Sequence, residues 1–166
     1  LKEKLDLSSS DSVDHFVRSY GDLLFDLCES ILKSSMNAEL AFRAILKKVR
    51  SRNRFQKYSN YERSWVLRIA CNRLLTFYHQ EDQNTLAPAE DPIKTENQDP
   101  SSVKIKNIQP FFRRLRPEDQ MILLLRDKYD IPYSEIATAL TIPEGSLKIR
   151  RQQALRTLED WLWNSR

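Results

Sequence analysis

The chain has 166 residues, 40% hydrophobic and 30% charged, enough for a core beneath a well-solvated surface, and its length suits one domain or two small ones. It holds only two glycines, Gly21 and Gly145, a scarcity that excludes hairpin-rich β structure, whose turns need positive φ, and any glycine-rich phosphate loop. The net charge of +4 is unevenly placed, at +5 over residues 1–80, −5 over 81–102 and +4 over 103–166, and such asymmetry points to a polyanionic partner.

Cys28 and Cys71 are far apart and lie in apolar helical patterns, as buried thiols of a reducing cytoplasm do. There is no Cys-x-x-Cys or His-Glu-x-x-His spacing, and His15 and His79 are isolated, so neither a metal nor a cofactor is expected. No apolar run approaches the length of a membrane span, and neither a span nor a signal peptide is expected from these residues. The chain opens on Leu1 rather than Met, which leaves room for a preceding segment.

Residues 1–12 are polar, with Asp11 a plausible helix cap. Val13, Phe16, Val17, Tyr20, Leu23, Leu24, Leu27, Ile31 and Leu32 then recur at three- and four-residue steps. That spacing predicts one long amphipathic helix, with a bend at Gly21. Asn37 can cap a second helix, with Leu40, Ala41, Ala44, Ile45, the stem of Lys48 and Val49 on its core side. After a polar stretch, 51–60, a third helix is expected from Tyr61 to His79, with Trp65, Val66, Ile69, Ala70, Leu74 and Phe77 inward. Residues 82–102 contain three prolines, several acids and no apolar period, which predicts a flexible acidic linker. The expectation is therefore an all-α protein with a helical domain over 1–81, the linker, and a second helical domain over 103–166.

The second domain opens with Val103, Ile105, Ile108, Phe111, Phe112 and Leu115, interrupted at Pro110. Pro117 suits the first position of a helix carrying Met121, Ile122, Leu124 and Leu125. A short helix, Tyr133 to Leu140, turns through Thr141 and Ile142 into Pro143. The last helix runs to Trp163, with Leu147, Ala154, Leu155, Leu158, Trp161 and Leu162 facing in.

The sharpest functional signal is this pair of helices. The first is short and has the small Ala137 where helices must approach; the second opens on Glu144, Gly145 and Ser146 and then presents Lys148, Arg150 and Arg151. A helix entering a major groove needs a slim first turn, whose amides favour phosphate, followed by long cationic side chains. The spacing predicts a helix-turn-helix, with Arg150 reading a base and Lys148 holding phosphate. The plainer alternative is a helical hairpin with a solvated basic face.

This segment resembles the helix-turn-helix that reads the upstream promoter element in bacterial sigma factors, above all the extracytoplasmic-function type. The residues that carry the likeness are Leu115-Arg116-Pro117, Glu135-Ile136-Ala137, Gly145-Ser146-Leu147-Lys148-Ile149-Arg150 and Ala154-Leu155-Arg156-Thr157-Leu158, with Gln153 where the family usually has Arg. The likeness covers residues 111–163.

The first domain is similar to the other half of that family through Trp65-Val66-Leu67-Arg68-Ile69-Ala70-Cys71-Asn72. From Arg43 to Arg73 there are ten Lys/Arg and one acid, Glu62, with Phe55, Tyr58, Tyr61 and Trp65 interleaved. Cations neutralise phosphates, and aromatic rings stack on unpaired bases at about 1–3 kcal/mol per base. Candidate contacts to opened DNA are Arg54, Phe55, Tyr58, Tyr61, Arg68 and Arg73; those to duplex are Ser146, Lys148, Arg150 and Arg151. The alternative here is a solvated basic face over core aromatics.

The resemblance implies binding of core RNA polymerase through the second helix, at Glu39, Leu40, Arg43 and Lys47, and an anti-sigma protein as a further partner. Leu40 and Arg43 replace the family's usual acid and amide, Thr76 a usual Asp and His79 a usual Arg. The expected function is a cytoplasmic initiation factor that recognises duplex promoter DNA and melts it. The alternative is a stand-alone helix-turn-helix regulator whose N-terminal helices dimerise or sense a signal. No Ser/His/Asp set, carboxylate pair or metal spacing supports an enzyme.

Overall fold

The structure, a computed structural model, describes residues 10–52, 62–84 and 108–164. Among these the architecture is all-α, with no strand. In chain order the elements are α1 (Ser10–Ile31), α2 (Ser35–Arg52), α3 (Glu62–Asn84), α4 (Gln109–Phe112), α5 (Pro117–Leu123), α6 (Tyr133–Leu140) and α7 (Glu144–Asn164). A five-residue π turn, Leu124–Lys128, prolongs α5. Most of the expected linker, along with Arg54, Phe55, Tyr58 and Tyr61, lies outside the described residues.

Helix α1 begins one residue before the expected cap Asp11, and it buries Phe16, Leu24, Leu27, Cys28 and Ile31. The expected inward residue Val17 is instead 39% exposed. The α1–α2 turn corrects the second cap. The side chain of Ser34 accepts the backbone N–H of Asn37 at 3.4 Å, so Ser34 caps α2 and Asn37 sits inside it. Asn37 instead donates its side-chain amide to Glu81 at 2.6 Å, and Glu81 also accepts the backbone N–H groups of Lys33 and Ser34. One carboxylate from the end of α3 thus satisfies three donors at the N-terminal end of α2, where the helix dipole favours negative charge.

Helix α2 buries Ala38, Ala41, Ile45 and Val49. Leu40, expected inward, is 48% exposed, because the buried stripe runs one position off it. Helix α3 extends five residues past His79 and buries Val66, Leu67, Ile69, Ala70, Cys71 and Leu74, more than one face of a helix. The reason is its place in the molecule: α1 and α2 cover one side, and α5 and α6 cover another.

In the C-terminal half Pro117 starts α5 as expected, after Arg116 in extended geometry, with Glu118 and Asp119 in the first turn. The buried Gln120 donates to the carbonyl of Leu115 at 2.7 Å and pins the α4–α5 turn. The π turn was not legible in the sequence. Two residues beyond it stands Asp130 at φ 49°, where Arg126 holds the carboxylate at 2.9 Å and donates to the carbonyl of Ile131 at 3.2 Å. Leu115, Leu123, Ala154 and Leu158 form a small core with Phe111, Phe112, Leu155 and Trp161. The main core is continuous across both halves: Leu67, Cys71 and Leu74 belong to the same cluster as Leu125, Ile136, Ala139 and Leu147.

Candidate nucleic-acid interface

Two helices and a tight turn build the site. Helix α6 ends at Leu140 and the chain reverses through Thr141, whose φ of 58° is left-handed. The backbone N–H groups of Thr141 and Ile142 both return to the carbonyl of Ala137. That closes the helix end without a glycine, at the strain cost of a β-branched residue at positive φ. Pro143 stands just before α7, and its carbonyl takes the N–H of Leu147 at 3.0 Å.

Leu147, Ala154 and Leu158 seat α7 on the core. At 100° per residue, the side opposite Leu147 carries Gly145, Ile149, Gln152 and Arg156, flanked by Gln153, Ser146 and Lys148. All seven are exposed, and Ile149 is 58% exposed although apolar. A Cβ built on Gly145 would meet nothing within 4 Å, so no packing inside the chain requires its smallness.

Arg150 and Arg151 fall on the two shoulders of the buried side instead. Arg150 Nε donates to Asp119 Oδ1 at 2.8 Å, and one terminal nitrogen lies 2.7 Å from the same oxygen; Asp119 is 8% exposed and also lies 3.5 Å from Arg116. Arg151 forks onto the carboxylate of Asp127 in the π turn, a hydrogen-bonded pairing that pushes its guanidinium above the ordinary pKa. Lys148 Nζ lies 5.5 Å from the ring centre of Tyr133, and Arg126 lies 5.1 Å from it, two cations on one aromatic ring at the start of α6. Sequence reasoning had chosen the arginines for their charge. It missed Ile149, Gln152, Gln153 and Arg156, which the helical period anchored on Leu147 could have placed on the outer face.

The N-terminal candidates divide. Arg68 is exposed on α3 and Arg73 half-buried one turn further on. Arg63, at the start of the same helix, forks onto Glu135 of α6 at 2.5 and 2.6 Å. That hydrogen bond raises its guanidinium above the ordinary pKa. On α2, Met36, Leu40, Arg43 and Lys47 are all exposed along one stripe, and Arg43 pairs with Glu39 at 2.5 Å. The structure therefore leaves the residues expected to face polymerase, Glu39, Leu40, Arg43 and Lys47, all exposed on α2, with Met36 beside them.

Cys28 and Cys71 are both buried, and desolvation pushes each thiol up to about 12, so neither is a thiolate at neutral pH. Among the described residues no group of acids, histidines and cysteines could hold a metal ion, and no helix is long and apolar enough to cross a membrane.

Residues 107–158 match the family described as sigma-70, region 4. Over most of its length the chain is similar to CnrH, solved in complex with the cytosolic domain of CnrY, at 12% identity and a TM-score of 0.73, with 98% of this chain and 95% of that one covered. It is also similar to the sigma factor RpoE of Bartonella quintana, solved with the anti-sigma factor NepR, at 16% identity and a TM-score of 0.69, covering 92% and 98%. Comparison with curated proteins by sequence gives no match. Residues 107–158 thus match the sigma-70 region 4 family, less than half of the chain, and the fold over most of the chain is similar to those of CnrH and RpoE.

Proposed function

We propose that this chain is a sigma factor of the extracytoplasmic-function type: a binding protein, not an enzyme, that joins core RNA polymerase in the cytoplasm and directs it to promoter DNA. The observation that carries the reading is the outward stripe of α7, polar, cationic and slim at its first turn, on a helix within the region 4 match. Gln152 and Gln153 can each present the donor and acceptor that adenine offers in the major groove, and Ile149 suits a thymine methyl group. Ser146, Lys148 and Arg156 suit phosphate. In this assignment Arg150 braces α7 against α5, and Arg151 can exchange its exposed carboxylate for a phosphate.

Arg68 and Arg73, with Arg54, Phe55, Tyr58 and Tyr61 by the chemistry of the sequence, serve the opened strands. The α2 stripe of Met36, Leu40, Arg43 and Lys47 takes the polymerase. An anti-sigma protein is the further partner, as RpoE has in NepR. The test is co-purification of the tagged chain with core polymerase, in wild type and in Leu40→Asp. Wild type should retain core and the variant should lose most of it. A chain that binds duplex DNA but never core polymerase would instead be a stand-alone regulator.

A further inference from the structure

We propose that the duplex element read by α7 is a step of A·T pairs, recognised through the thymine 5-methyl group by Ile149 and with guanine left unread, an inference that rests on the DNA-binding reading above. Ile149 is 58% exposed in the middle of a polar stripe, on the side of α7 opposite the fully buried Leu147. Most of its surface faces solvent, so the core does not require an apolar residue there. In the major groove one base-edge group is apolar, the methyl on C5 of thymine, and an aliphatic side chain meets it by removing both from water. An isoleucine is short, so the helix must come close to the base edges for it to touch one. The first turn of α7 permits that approach: Ser146 is small and exposed, and Gly145 has open space where a Cβ would stand.

The neighbours of Ile149 decide which bases accompany the methyl. Gln152 follows one turn later on the same exposed stripe, about 4.5 Å further along the axis. That step is close to the ~3.4 Å between adjacent base pairs, so the two side chains fall on neighbouring pairs. The Gln152 amide offers a donor to N7 and an acceptor to the N6 amino group of adenine. Guanine asks for something else, two N–H groups of one guanidinium forked onto O6 and N7. The arginines beside Ile149 are committed elsewhere. Arg150 donates to Asp119, itself 8% exposed, and Arg151 forks onto Asp127 of the π turn. Lys148 leans over the Tyr133 ring at the start of α6, the helix whose counterpart crosses the phosphate backbone in such motifs. Arg156 is exposed but lies two turns past Ile149, about 10 Å further from the helix end that enters the groove. The centre of the stripe therefore presents an apolar side chain and carboxamides, with no guanidinium among them.

The test is binding of short labelled duplexes by the full chain with core polymerase, measured above the background of core alone. One duplex alternates A and T, a second carries deoxyuridine in place of every thymidine, and a third alternates G and C. Replacing thymine by uracil removes the methyl and leaves the hydrogen-bonding groups of the pair in place. Wild type should bind the thymine duplex about fourfold more tightly than the uracil duplex, the worth of one buried methyl-sized group, and the G·C duplex most weakly. Ile149→Ala, a change at an exposed position, should bind the thymine and uracil duplexes equally. Gln152→Ala should still distinguish those two and lose part of its preference over G·C. Equal binding of thymine and uracil by wild type, or a distinction that survives in Ile149→Ala, would overturn the methyl contact. A G·C duplex bound as tightly as the A·T duplex would overturn the exclusion of guanine. No duplex bound above core alone would sink the DNA-binding reading itself, and this inference with it.

Discussion

Removing the Arg150 side chain would leave the Asp119 carboxylate, 8% exposed, with Arg116 at 3.5 Å as its remaining ion-pair partner among the described residues. Breaking an ion pair in this partly buried setting costs more than breaking one at the surface, here about 2–4 kcal/mol. Arg150→Ala should therefore lower the urea midpoint of the chain and leave its base preference alone; an unchanged midpoint with altered DNA preference would give the residue back to base reading. Gly145 makes the opposite case. It stands in the first turn of α7 with open space where a Cβ would go. Gly145→Ala should raise stability by roughly 0.5 kcal/mol through helix propensity. It should weaken duplex binding, because the small residue leaves clearance for a phosphate backbone. Equal affinity in the stabilised variant would mean that nothing approaches the helix there.

The elements differ in how openly the sequence declared them. Helix α6 and the first helical position of α5 were read to the residue, because a short apolar period and a proline define them locally. The end of α3 was not. Its last turn, beyond His79, is polar and is held by tertiary partners, with Glu81 bound to the α1–α2 turn and Asp82 3.7 Å from Lys33. The second cap shows the same cause: Asn37 has the right chemistry for a cap, but Ser34 holds that place and Glu81 takes the Asn37 amide. Glu81→Ala should loosen the turn and cost roughly 1–3 kcal/mol by orphaning those donors. Thermal unfolding with Glu81→Gln as the milder companion measures it, and an unmoved transition would show that water replaces the carboxylate. The burial of Leu67 was hidden for a related reason. One helical face accounts for a surface helix, whereas α3 is covered from two sides by parts of the chain distant in sequence.

At the scale of the molecule, the all-α class and the helix-turn-helix were legible, since scarce glycine and 3.6-residue periodicity are properties of the chain alone. The contact of α3 with α6 was not, because Arg63 and Glu135 are separated by 72 positions and neither belongs to a local pattern. The outward stripe of α7 was half legible. Its position in the chain was found, while the side chains chosen were the arginines that the fold draws inward. Promoter recognition, as proposed, rests on that stripe. Selection of duplexes from a random pool by the full chain with core polymerase, compared between wild type and Gln152→Ala, tests it most directly. Wild type should enrich one sequence box above the background of core alone. The variant should relax the preference at a single position of that box, at about 1–3 kcal/mol of discrimination. An enriched box identical in the two proteins, or none above core alone, would contradict it.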